Sequence, residues 1–199
     1  MGHWGISMDS SRAVTAVHDG SGGGWLLERD VALEAITAAL GEVEGGGGVA
    51  VLFSGRAGVG KTSLLREGKR AARETGFSVG SAVGSPIESG LPFGLLGQAV
   101  VQLVGSTVDD SSELQRLGDP AAGLYRMFRC LTSAAAEAPL LLALDDLHWA
   151  DPDSLTFLGF LARRITSPEV PVRDKRYVDL MINARIPQKR PTTPESRAG

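Results

Sequence analysis

The chain has 199 residues, 43% of them hydrophobic and 22% charged, with a formal net charge of −3. That allows one ordinary core, and the balance of charge advertises neither nucleic acid nor a membrane surface. The lone cysteine, Cys130, excludes an internal disulfide, no apolar run approaches the roughly 18 residues of a membrane span, and the N-terminus lacks a secretory signal, so the expected location is the cytoplasm.

Residues 1–24 read as a disordered leader, rich in Ser and Gly and closing on DGSGGG. Leu26, Val31, Leu33, Ile36 and Leu40 then recur at helical spacing, with acids toward the start where the helix dipole favours them. Gly41 and residues 45–48, all glycine, end that helix in a flexible connection. VAVLFSG, residues 49–55, is apolar and β-branched and reads as a strand covered on both faces. After a glycine-rich turn, TSLLREGKRAARETG is a helix stopped near Gly76. FSVGSAVG (77–84) is a weaker strand, SPIESGLPFG a loop, LLGQAVVQLVG a helix, and 106–120 a polar loop or short helix. Residues 121–138 form a helix stopped by Pro139, in which Cys130 is a small core residue rather than a nucleophile. Residues 140–144 are a second fully apolar strand, and Asp151 with Pro152 opens another helix.

Strands alternating with helices predict an α/β fold, a parallel sheet flanked by helices. Residues 167–199 differ: prolines are scattered through them, and only YVDLMINARI has enough apolar content to order locally. They read as a divergent, disordered tail, whose slight basic excess is a solvated end and not a DNA site.

GRAGVGKT, residues 55–62, satisfies G-x-x-x-x-G-K-[ST] in full, between a strand and a helix. Gly55, Gly58 and Gly60 let the backbone take positive φ and pass close to an anion. Successive N–H groups then cradle phosphate oxygens, with the positive end of the following helix behind them. Lys61 places a point charge on the β and γ phosphates, and Thr62 offers a hydroxyl to Mg²⁺. The candidate binding stretch is therefore Gly55, Arg56, Ala57, Gly58, Val59, Gly60, Lys61, Thr62 and Ser63. The competing reading, a glycine turn with an incidental lysine, is disfavoured by the strand-turn-helix context.

LLLALDDLHWADPDSL, residues 140–155, poses a second problem: carboxylates on a buried strand cost on the order of several kcal/mol unless compensated. In P-loop proteins an acid at the tip of a second strand holds Mg²⁺, usually through water. Asp145 fits that metal role beside Thr62, and Asp146 fits a base that orients or deprotonates an attacking water. Alternatively, both acids cap a turn or the next helix, as Asp151 and Asp153 are expected to do. His148 and Trp149 either lie near the γ-phosphate or pack beneath the sheet.

Three segments carry a resemblance. LLERDVALEAITAAL is similar to the first helix of the AAA-type ATPase domain of large bacterial signalling proteins. FSGRAGVGKTSLL resembles its Walker A segment, and LLLALDDLHWADPDSLTFLGFLARR its Walker B strand and next helix. The likeness covers residues 25–166, and ESGLPFGLLGQAV fits the segment between the motifs. The family includes LuxR-type ATP-binding regulators and related STAND ATPases. It implies a P-loop NTPase core working as an ATP-driven switch with Mg²⁺, which acts through protein partners or self-association. By position, Lys61 and Thr62 bind phosphate and Mg²⁺, Asp145 supports the metal and Asp146 is the catalytic base. Asp146 is one methylene shorter than the Glu of many AAA proteins, which suits slow turnover. LLERD departs from the family's first motif, because Glu28 replaces a glycine before Arg29. The family continues with an apolar strand ending in a polar sensor, a helical lid and, in large members, a DNA-binding helix-turn-helix. None of these is recognisable after Arg164, so the core is expected to be incomplete at its C-terminal side. A small-molecule P-loop kinase and a remnant that binds nucleotide weakly without hydrolysis are the competing functions.

Overall fold

The computed structural model describes residues 4–8, 13–18, 27–44, 48–104, 120–166 and 178–185, with side chains at 30–42, 48–104 and 121–164. In chain order the elements are β1 (Trp4–Met8), β2 (Ala13–His18), α1 (Leu27–Glu44), β3 (Ala50–Gly55), α2 (Lys61–Glu74) and β4 (Ser78–Val83). Then come α3 (Gly94–Val104), α4 (Pro120–Glu137), β5 (Leu140–Asp145), a 3-10 turn at Leu147–Trp149, α5 (Pro152–Thr166) and β6 (Val178–Arg185). The strands form one six-stranded sheet in the order β1-β2-β3-β6-β5-β4, parallel except for the antiparallel β1–β2 pair. The expected α/β architecture, a parallel sheet flanked by helices, is the one formed.

Alternation along β5 organises the two helical layers. Leu141 and Ala143 pack on one face with Ala32, Ile36 and Leu40 of α1 and Leu64, Leu65 and Ala72 of α2. Leu140, Leu142 and Leu144 pack on the other with Leu96 and Ala99 of α3, Met127 and Leu131 of α4, and Phe157 and Leu161 of α5. Side chains alternate across a strand, so a strand with helices on both faces is apolar at every position. Cys130 of α4 is half-buried against the second cluster, as a core residue would be.

β4 ends the row of strands, where backbone groups lack a neighbouring strand. The Gln102 amide of α3 covers part of that edge: its Nε2 donates to the Ser81 carbonyl at 2.7 Å, and its Oε1 accepts from the Ser81 N–H at 3.2 Å. Close approach there depends on Gly80, where an ideal Cβ would lie 2.5 Å from the Ala99 carbonyl oxygen. α2 stops as expected at Gly76, which takes φ 85°, while the Phe77 N–H returns to the Ala72 carbonyl at 2.9 Å.

Several elements depart from the sequence-based expectation. α1 runs on through Gly41 to Glu44. The expected disordered leader contains β1 and β2, and Ala13–His18 (AVTAVH) lies in parallel register with β3. The expected tail contains β6, an ordered strand between β3 and β5, so the sheet is not missing its central strand. β2 and β6 pair with strands distant in the chain, and β1 is added to the sheet through its neighbour β2, an order that the composition of the surrounding segments does not register; β6 falls within YVDLMINARI, the one stretch of the tail with enough apolar content to order. The rest of those two segments, together with residues 45–47 and 105–119, lies outside the described residues. Among the described residues, no helix is long and apolar enough to cross a membrane.

Gly80→Ala is expected to push α3 away from β4 and cost about 1–3 kcal/mol, the usual range for overpacking. Urea denaturation beside the parent chain measures it.

Candidate nucleotide site

The glycine-rich turn joins β3 to α2 at the carboxyl edge of the sheet. Gly58 and Gly60 take φ 84° and 91°, in the left-handed region that glycine enters at least cost, whereas Gly55, expected to do the same, is the last residue of β3 and does not. An added Cβ would meet nothing within 4 Å at either position, so conformation and not crowding calls for glycine there. Gly60 caps α2 without a side-chain hydrogen bond, leaving the start of that helix covered by no polar side chain of its own cap. Residues 56–58 and Thr62 are exposed, and Ser63 is half-buried. Lys61 is only 7% exposed, and its Nζ folds back to donate to the carbonyls of Gly55 at 3.0 Å and Arg56 at 2.8 Å. The turn therefore closes around an ammonium group, and the start of α2 follows it directly.

Asp145 is the last residue of β5 and is 6% exposed. Its Oδ1 accepts the Asp146 N–H at 2.9 Å, a local hydrogen bond that offsets part of the cost of burial. Leu144 and Leu52 both pair with Ile182, so β5 ends two residues short of β3 across the intervening β6, and the two strand ends stand about 12 Å apart at a spacing near 4.8 Å and a rise near 3.3 Å per residue. The glycine turn and the acids thus share one edge of the sheet. Asn183 lies one residue beyond the Leu144–Ile182 pair and opposite Phe53, and Arg185 pairs with Gly55. Sequence reading passed over both positions. The signal available was a polar residue directly after the apolar Leu-Met-Ile run.

Asp146 adopts φ 50° and ψ 44°, a left-handed conformation that Asp tolerates better than most residues. The chain then makes a single 3-10 turn, closed by the Trp149 N–H on the Asp146 carbonyl at 2.9 Å. His148 and Trp149 are exposed on it, with ring centroids 5.0 Å apart, and so do not pack beneath the sheet. His148 Nδ1 lies 3.8 Å from Asp146 Oδ1. Gly84, which follows β4, donates its N–H to the Asp145 carbonyl at 2.9 Å, and an ideal Cβ there would stand 2.4 Å from the Asp146 carbonyl oxygen. No sequence signal distinguished this glycine from those of flexible turns.

Asp151 caps α5 as expected, accepting the Ser154 N–H at 2.8 Å. It also accepts the Phe93 and Leu95 N–H groups at 2.9 and 3.2 Å, partners too distant in the chain for local patterning to reveal. For Asp153 no such bridging role is seen; it is half-buried in the first turn of α5.

The sequence model of the family described as "AAA ATPase domain" matches residues 26–173 of this chain. The chain belongs to that family. Nucleotide binding is the shared business of AAA ATPase domains, and the P-loop architecture of a parallel sheet between helical layers agrees with membership. An uncharacterized protein of Rhizobium meliloti (strain 1021) is 28% identical over 183 aligned residues, covering 72% of this chain. The chain spans 18% of that relative's length. No solved structure gives a significant match.

Gly84→Ala in this AAA ATPase domain is expected to displace the turn after β5 and destabilise the fold by about 1–3 kcal/mol. Amide shift changes in ¹H–¹⁵N spectra should concentrate at residues 146–149.

Proposed function

We propose that this AAA ATPase domain is the Mg-ATP-binding, slowly hydrolysing switch of a LuxR- or STAND-type signalling protein. The observation that carries the reading is the shared edge: the Lys61 ammonium inside the glycine turn, and the Asp145–Asp146 pair one strand away. Gly55, Arg56, Ala57, Gly58, Val59, Gly60, Lys61, Thr62 and Ser63 form the phosphate cradle in this reading. Lys61 already holds two oxygen acceptors, so the β and γ phosphate oxygens replace carbonyls it contacts at 2.8–3.0 Å. The α2 amides and helix dipole add to the same anion site.

The donors at hand also fit a hard cation. Thr62 contributes an exposed hydroxyl and Asp145 a carboxylate, the small oxygen set that Mg²⁺ takes when phosphates and water complete its shell. When bound, Mg²⁺ supplies charge neutralisation across the phosphates. Asp146, half-exposed beside that edge, takes the proton of a water whose oxygen attacks the terminal phosphorus, and the bond to the ADP oxygen breaks as that attack completes. The His148 ring 3.8 Å away is placed to influence that carboxylate. Val83, Ile87, Leu91 and Trp149 expose apolar surface on the neighbouring segments, which supports contact with protein partners or a second copy.

Calorimetry with Mg-ATP on the purified chain tests the reading, and absence of binding at millimolar nucleotide would sink it. Lys61→Ala is expected to weaken Mg-ATP by about 10- to 100-fold, as loss of a charged hydrogen-bond donor does. Asp146→Asn should keep the affinity and lower phosphate release by about 100-fold or more, the usual worth of a positioned base. Release of phosphate without any acceptor metabolite separates the switch from a kinase.

A further inference from the structure

The turn that presents Asp146 is held from two sides, and the second side has no part in the roles assigned above. Its first anchor is β5. Its second is Asp151, 1% exposed, whose carboxylate bonds to the starts of two helices. Oδ1 accepts from Ser154 of α5 at 2.8 Å and from Phe93 at 2.9 Å, and Oδ2 accepts from Leu95 of α3 at 3.2 Å. The fully buried Ser154 Oγ adds a parallel link by accepting the Leu96 N–H at 3.2 Å. The negative charge is thus met by backbone N–H groups at two helix starts, where the dipoles favour an anion.

A helix cap alone does not demand this chemistry. Ser, Thr or Asn would cap α5 about as well. Only a carboxylate offers acceptors on both oxygens, and Asn would turn an NH₂ toward either Leu95 or the Phe93–Ser154 pair. The segment held by Asp151 is also the one that touches the acid turn at its other end. It starts at Gly84, packed against the Asp146 carbonyl, and finishes at Phe93, bonded to Asp151. Residues 84–93 and 146–151 therefore close a ring of backbone around the base of Asp146. Phe93 is kept at φ 55°, with its ring in the space beside Gly123 of α4, so this ring is seated on all three helices of that face.

We propose that Asp151 is a positioning residue: by tying the acid turn to the start of α3, it sets where the Asp146 carboxylate stands during hydrolysis. This rests on the ATP-hydrolysis reading given above. Misplacing a reacting group by an ångström costs about 100-fold in rate, whereas a cradle built elsewhere on the sheet edge keeps its affinity.

The test compares the full chain with Asp151→Asn, using Asp153→Asn on the same helical turn as control. Asp151→Asn is expected to lower kcat about 10- to 100-fold, hold the Mg-ATP Kd within about threefold, and speed amide exchange at Leu95 and across 147–150. Asp153→Asn should match the parent in all three. An unchanged kcat overturns the proposal, as does a fall in kcat matched by an equal fall in affinity or in folded fraction. If the parent neither binds nor turns over Mg-ATP, the hydrolysis reading fails and exchange alone decides. Faster exchange at 147–150 then supports the tie, and exchange changed only at Leu95 overturns it.

Discussion

Burial of both faces of β5 is the constraint on which the rest depends. Five consecutive apolar residues, Leu140 to Leu144, are removed from water by helices on either side, each leucine contributing about 2 kcal/mol. Such a strand has to lie inside the sheet, with its polar continuation at the end. Asp145 and Asp146 are thereby delivered to the carboxyl edge, the same edge at which β3 releases the glycine turn. The meeting of a cationic loop and an acidic turn follows from two parallel strands ending within two residues of each other at one edge, and open α/β sheets bind ligands at that edge.

Buried polar groups here are matched mainly by backbone. Lys61 uses two carbonyls, Asp145 an amide, and Asp151 three amides. An unmatched group of this kind costs on the order of 1–3 kcal/mol or more, so each match fixes a main-chain segment in place. The buried charges of this edge are in that sense also part of what specifies the fold.

What could be read in the sequence was what is local. The glycine pattern of residues 55–62 is written in consecutive residues, and the backbone takes positive φ at Gly58 and Gly60, though not at Gly55. β5 was legible because two-sided burial leaves an uninterrupted apolar run. β6 was legible only in part: Val178–Arg185 lies within the one tail stretch apolar enough to order, but Asp179 and Asn183 dilute it and its partners lie far back in the chain. β1 and β2 were hidden by the Gly- and Ser-rich residues around them. Asp151 was half legible, since its bond to Ser154 is three residues away while its bonds to Phe93 and Leu95 reach back 58 and 56 residues.

The place of β6 in the row of strands has a consequence for biosynthesis. The last described strand to leave the ribosome is the one that lies between the earlier-made strand leading into the glycine turn and the acid strand. Until residues 178–185 emerge, those two strands lack their common neighbour, and their exposed edges invite pairing with other chains. The seam between β3 and β5 therefore closes only once β6 has been made.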